Sequence, residues 1–82
     1  MARDHNGMKR YLKTSTEVFP DVLSGAKPWE YRRNDRDYRV GDTLVLQEWD
    51  TRTQTYTGRQ VERYVPYILY GGVFEIPPGM CI

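Results

Sequence analysis

The sequence holds one cysteine, Cys81, and one histidine, His5, in 82 residues. A single cysteine excludes an internal disulfide, so a reducing compartment is permitted. One cysteine with one histidine also excludes a zinc cluster of the usual spacing, and no metal or cofactor is expected. No apolar run approaches the roughly 20 residues of a membrane helix. The opening "MARDHNGMKR" carries charge without an apolar centre, so no secretion signal is read there. An excess of charge of one sign is lacking too: 12 Lys and Arg face 11 Asp and Glu, a net charge of +1. No global field then draws the protein to nucleic acid or a membrane, and any anion site must come from local placement. These absences leave a cytoplasmic, monomeric domain as the expectation, with no membrane partner.

What is present is a single small domain. A chain of this length buries only about 60% of the surface its unfolded form exposes. Two Trp, seven Tyr and two Phe compensate, because each buried ring removes a large apolar area from water. Residues 1–7 read as a polar, loose tail with His5 in it, and residues 8–82 as the domain.

Along the chain, "MKRYLK" (8–13) predicts a short first strand. In "TSTEVFPDVLSG" the i,i+4 pairs Val18/Val22 and Phe19/Leu23 predict one short helix over about 16–24, stopped by Gly25. Thr14 and Glu17 stand at capping-box spacing, which makes Thr14 and Ser15 helix-start residues. Pro20 conflicts with a helix begun that early and predicts an irregular first turn. "PWEYRR" reads as a second strand and "NDRDYRVGD" as a turn. "TLVLQEWD" (43–50) and "RQVERYVPYIL" (59–69) read as strands of a long hairpin around a polar connection, the second at an edge or bent at Pro66. "YGGVFEIPPG" is a loop, and "MCI" starts a last strand with Cys81 as apolar filler. The order β, α, then four strands, without βαβ alternation, predicts an α+β domain: a small, mostly antiparallel barrel with one packed helix.

The stretch "GAKPWEYR" fits G-x-K-x-x-E-x-R through Gly25, Lys27, Glu30 and Arg32. With "VGD" at Val40–Asp42 before a strand, it resembles the ASCH domains, a branch of the PUA-like β-barrels. The further pattern "NDRDYRVGD", "EWD", "YTGR" and "PPG" is similar to a small phage and bacterial ASCH subfamily of unassigned function. The resemblance covers about residues 11–82. It implies a five- or six-stranded PUA-like barrel with the motif lining a cleft beside the helix, proposed in such domains to hold RNA or a modified base. It also brings enzymes, since some small relatives hydrolyse acylated cytidines and another has been described as a ribonuclease. Those hydrolases carry threonine where this chain has Glu30. The chain ends at Ile82, several residues before the usual last strand of the family.

Read physically, alternation along a strand puts Trp29, Tyr31 and Arg33 on one face and Glu30, Arg32 and Asn34 on the other. The aromatics are then expected in the core under Val18, Phe19, Val22 and Leu23. Glu30 and Arg32 face the cleft, and the stem of Lys27 reaches over it. Guanidinium suits phosphate or carboxylate, and a neighbouring carboxylate accepts from an exocyclic amine. The candidate ligand- or RNA-binding residues are Lys27, Glu30, Arg32, Asn34 and Arg36. From Lys27 to Arg39 five basic residues face three acidic ones, a modest excess. Asp35, Arg36 and Asp37 otherwise read as a solvated turn, and Tyr56 with Arg59 mark a second, weaker contact near the hairpin tip. The expected function is an RNA- or nucleobase-binding module, with single-stranded RNA or a modified nucleoside as partner. The alternatives are a small amidohydrolase acting on an acylated nucleoside, and a protein-interaction domain of phage origin that engages a host protein. In the hydrolase, Lys27, Glu30 and Arg32 would be catalytic, with Glu62 or Glu75 as a second carboxylate.

Overall fold

The structure, a computed structural model, describes residues 7–82. His5 and all of the expected tail but Gly7 lie outside the described residues. The elements are β1 (Lys9–Ser15), α1 (Phe19–Ser24), β2 (Arg32–Arg33), β3 (Thr43–Asp50), β4 (Thr55–Tyr64) and β5 (Met80–Cys81). They form a three-stranded sheet in the order β1-β3-β4 and a two-stranded sheet of β2 and β5.

β3 is the central strand. Val45 and Leu46, which point to opposite faces, are 0% and 1% exposed, so the strand is covered on both sides. β4 pairs with it antiparallel, with a register shift between Gln47 and Trp49. β1 pairs with β3 in parallel, from Lys9 opposite Thr43 to Ser15 opposite Trp49. That pairing sets one parallel ladder beside two antiparallel ones, and it makes the whole of 16–42 a crossover connection. The crossover carries α1, β2 and the candidate motif.

The sheets do not close into the expected barrel. Proline accounts for much of this, because it has no N–H for a ladder. Pro28 opens "PWEYRR", and the predicted strand over 28–33 shortens to Arg32–Arg33. Pro66 ends β4 at Tyr64, so that strand lies about four residues earlier than predicted and takes in the supposed polar connection. Pro77 and Pro78 leave β5 two residues long.

The helix also starts later than its spacing predicts. Val18 is the N-cap without a side-chain cap bond, and Pro20 falls in the first turn. There its missing N–H has no intrahelical partner to lose, which removes the conflict. Thr14 and Ser15 therefore belong to β1 and start no helix. Gly25 ends α1 at φ 88°, as expected. Six residues cannot hold a helix by propensity alone. Packing of Val22 and the Arg63 guanidinium, which donates to the Val22 and Leu23 carbonyls at 3.1 and 3.4 Å, fix α1 on β4.

The core gathers Leu12, Val22, Tyr38, Leu46, Ile68 and Cys81. Cys81 is apolar filler, and burial pushes its thiol up and away from thiolate chemistry. The loop before β5 is held by a close backbone approach: a Cβ on Gly71 would overlap the Pro77 carbonyl oxygen and come within 2.9 Å of that of Met80. Gly71→Ala is expected to cost about 2 kcal/mol, read as a lower urea midpoint. A midpoint equal to wild type would show that the loop yields freely.

Candidate functional site

The chain leaves α1 through Gly25 and folds back, the Lys27 amide donating to the Asp21 carbonyl at 3.0 Å. The next residues run without ladder bonds to β2. Freed from a ladder, their side chains settle by charge. Glu30 turns inward and accepts from Lys27 Nζ at 3.2 Å and from Arg32 Nε at 2.8 Å. Arg32 Nη2 continues to the Lys13 carbonyl at 2.7 Å. Lys27 also donates to the Trp29 carbonyl at 3.0 Å. The three side chains are only 23%, 17% and 28% exposed, in the order Lys27, Glu30, Arg32.

That arrangement corrects the aromatic expectation. Trp29 and Tyr31 do not enter the core; they are 55% and 45% exposed. Leu23 is exposed as well, while Phe19 is buried beneath the Arg59 guanidinium at 5.1 Å. The strand rule correctly separates the two sets of side chains but assigns the wrong one to the interior. Glu30 and Arg32 find their partners inside, and the rings are left to solvent.

The clamp of Lys27, Glu30 and Arg32 is a partition between two cavities. On one side lies an apolar cleft of about 340 Å³, floored by Leu12, Leu46 and Ile68 and rimmed by Trp29, Tyr64 and Tyr67. Tyr64 and Tyr67 are 66% and 72% exposed, so the rim offers ring faces that the fold does not use. Lys27 Nζ sits 4.7 Å from the Trp29 ring centre. On the other side lies a polar cavity of about 420 Å³, bounded by Lys13, Thr14, Ser15, Arg33 and Arg36. Tyr38 borders both, and burial pushes its phenol up, which keeps it a neutral hydroxyl.

The polar cavity follows from the edge that β1 leaves unpaired opposite β3. There Arg36 Nη1 donates to the Tyr11 carbonyl at 2.8 Å, as Arg32 does to that of Lys13. Two guanidinium groups span the gap that a neighbouring strand would otherwise fill. Of the sequence candidates, Lys27, Glu30 and Arg32 come together, and Arg36 joins them across this gap. Asn34 is turned to the backbone instead: its Oδ1 accepts the Tyr38 amide at 3.0 Å, and it lines neither of the two cavities. Arg59 is held by Glu48 at 2.8 Å, and Tyr56 packs edge-on against Trp49, both away from these cavities. Neither Glu62, which pairs with Lys9 at 3.2 Å, nor Glu75 lines either cavity. Tyr64, Pro66 and Tyr67 line the apolar cleft, and the sequence reading places them in a strand. Their only signal is the pair of tyrosines around Pro66, where a strand cannot continue.

A family model described as a domain of unknown function, DUF3850, matches residues 10–82, which includes both cavities and the partition. The chain belongs to the DUF3850 family. It is also similar to an "Uncharacterized 12.9 kDa protein in GpA 3'region" of Escherichia phage P2, at 45% identity over 51 residues. That match takes in 62% of this chain and 45% of the phage protein, so the chain spans less than half of that relative. Neither description states a chemistry, so the chemistry has to be read from the site.

Proposed function

We propose that this DUF3850 domain binds a nucleobase, as a free modified nucleoside or as an unpaired base of single-stranded RNA. We also propose that it is an ASCH-type, PUA-like fold whose barrel is left open. The supporting observation is the Glu30 carboxylate, held by Lys27 and Arg32 at the wall of an apolar cleft with exposed aromatic rims. A base is a flat apolar ring with a polar edge. Its faces suit Trp29, Tyr64 and Tyr67. Its edge suits the partition, where Glu30 accepts from an exocyclic amine and Arg32 or Lys27 donates to a ring carbonyl. The carboxylate retains lone pairs for this, since each oxygen accepts one bond within the clamp. Two salt bridges hold Glu30 before the ligand arrives, so little ordering is left for binding.

The test is an NMR titration of labelled protein with cytidine, N4-acetylcytidine and a short single-stranded RNA. Amide shifts are expected at 27–32 and 64–68. Trp29→Ala should weaken binding roughly tenfold, because one stacked base contributes about 1 to 3 kcal/mol. Trp29 is exposed, so the variant should fold as wild type. Ligand spectra that change with time would show turnover and favour the hydrolase. An absence of shifts at millimolar ligand would defeat the binding reading.

A further inference from the structure

The polar cavity behind the partition has no part in gripping a base, yet it gathers five cationic side chains on a nearly neutral chain. Lys13, Lys27, Arg32, Arg33 and Arg36 border it against Glu30 and Asp35. Glu30 is already neutralised by two of those cations. Arg36 and Lys13 have no carboxylate partner among the described residues. Arg36 is on the Tyr11 carbonyl, and Lys13 lies 3.9 Å from the Trp49 ring centre. Arg33 forms no ion pair or side-chain hydrogen bond among the described residues.

Thr14 supplies an independent observation. It shares the inward face of β1 with Leu12 and is 5% exposed. Among the described residues its Oγ1 is the one buried side-chain oxygen or nitrogen without a hydrogen-bond partner. Leaving a buried hydroxyl unpaired is costly, and a valine of the same shape would avoid the cost. The residue also borders the cavity.

We infer that the polar cavity is a phosphate subsite, and that the ligand is a phosphorylated nucleoside lying across the Lys27–Glu30–Arg32 partition. This rests on the nucleobase reading of the apolar cleft. The base occupies the aromatic side, and the phosphate sits on the far side. There Arg33 and Arg36 supply charge, and Thr14 donates its hydroxyl to a phosphate oxygen. Arg32 borders both cavities and couples them. A phosphate is the group that uses guanidinium forks and a hydroxyl donor together.

The experiment compares cytidine, cytidine monophosphate, the dinucleotide CpC and inorganic phosphate by calorimetry and by amide shifts. The monophosphate should bind about tenfold more tightly than cytidine, with an advantage that shrinks as salt rises. Arg33→Ala and Thr14→Val should each bring the ratio of the two affinities toward one. Thr14→Val should melt at or above wild type, which separates a lost contact from a lost fold. A gain shared by CpC points to an RNA backbone phosphate, and a gain confined to the monophosphate points to a free nucleotide. Either supports the subsite. Equal affinities for cytidine and its monophosphate would overturn it and leave the base site standing. If cytidine fails to bind while inorganic phosphate shifts the amides of Thr14, Arg33 and Arg36, the base reading falls and the phosphate subsite remains. A monophosphate advantage that survives both substitutions would place the phosphate elsewhere and overturn the inference.

Discussion

Asp42→Asn is expected to lower the stability of this domain by about 3 kcal/mol, the scale of breaking a buried charged pair. Asp42 is 0% exposed. Its Oδ1 accepts the Met8 amide at 3.0 Å. Its Oδ2 accepts the Arg39 amide at 2.9 Å and Arg10 Nε at 3.1 Å. An asparagine of the same shape has one acceptor oxygen for these donors and turns an NH₂ group at the rest. Burial pushes the Asp42 carboxyl up, but the two amides and the guanidinium outweigh it and hold the group below its ordinary value. A carboxyl depressed in the folded state stabilises above its unfolded value, and that contribution is lost as pH falls through the folded value. Wild type should therefore weaken below about pH 4. Asp42→Asn should be weak already at neutral pH and lose less on acidification. Urea denaturation at pH 7 and pH 3 reads both effects. A loss below about 1 kcal/mol at pH 7 would show that these bonds are replaceable. The site depends on this anchor, because Asp42 ends the crossover on which the motif is carried.

Arg32→Ala is expected to abolish measurable nucleoside binding and to lower stability by about 2 kcal/mol, the scale of bonds made by a charged donor. The guanidinium ties Glu30 to the Lys13 carbonyl on the open edge of β1. Without it Glu30 keeps only Lys27 of its two cations, and the wall between the cavities loses its outer support. Arg32→Lys should recover part of the stability and little of the binding. An ammonium retains the charge but lacks the rigid planar fork that here holds Glu30 and the Lys13 carbonyl in one fixed geometry. Thermal melting read beside the cytidine titration separates the two losses. Wild-type affinity in Arg32→Ala would remove the partition from the binding site.

Several features are legible in the chain because their causes are local. The strand at 43–50 coincides with β3 to the residue, since its β-branched and apolar run lies between turn signals. Gly25 marks the end of α1, because the left-handed conformation needed there favours glycine. The motif spacing singles out Lys27, Glu30 and Arg32, and these do meet. Other features fail where the cause is distant. Thr14 and Glu17 have capping-box spacing, yet seven residues of pairing with β3 hold the segment through Ser15 as strand. Alternation separates Trp29 and Tyr31 from Glu30 and Arg32. Which set goes inside depends on the Lys13 carbonyl, nineteen positions away from Arg32.

By itself, then, the sequence determined a small α+β chain without staples, its turns, its central strand, and a cation–carboxylate–cation motif. Each of these follows from neighbours within a few residues. Only the tertiary structure decided that β1 runs parallel to β3 and that the sheets stay open. It also decided that the motif becomes a wall between an aromatic cleft and a cationic cavity. Those outcomes depend on partners tens of residues apart, and a strand's pattern specifies its two faces without saying which one the rest of the chain will cover.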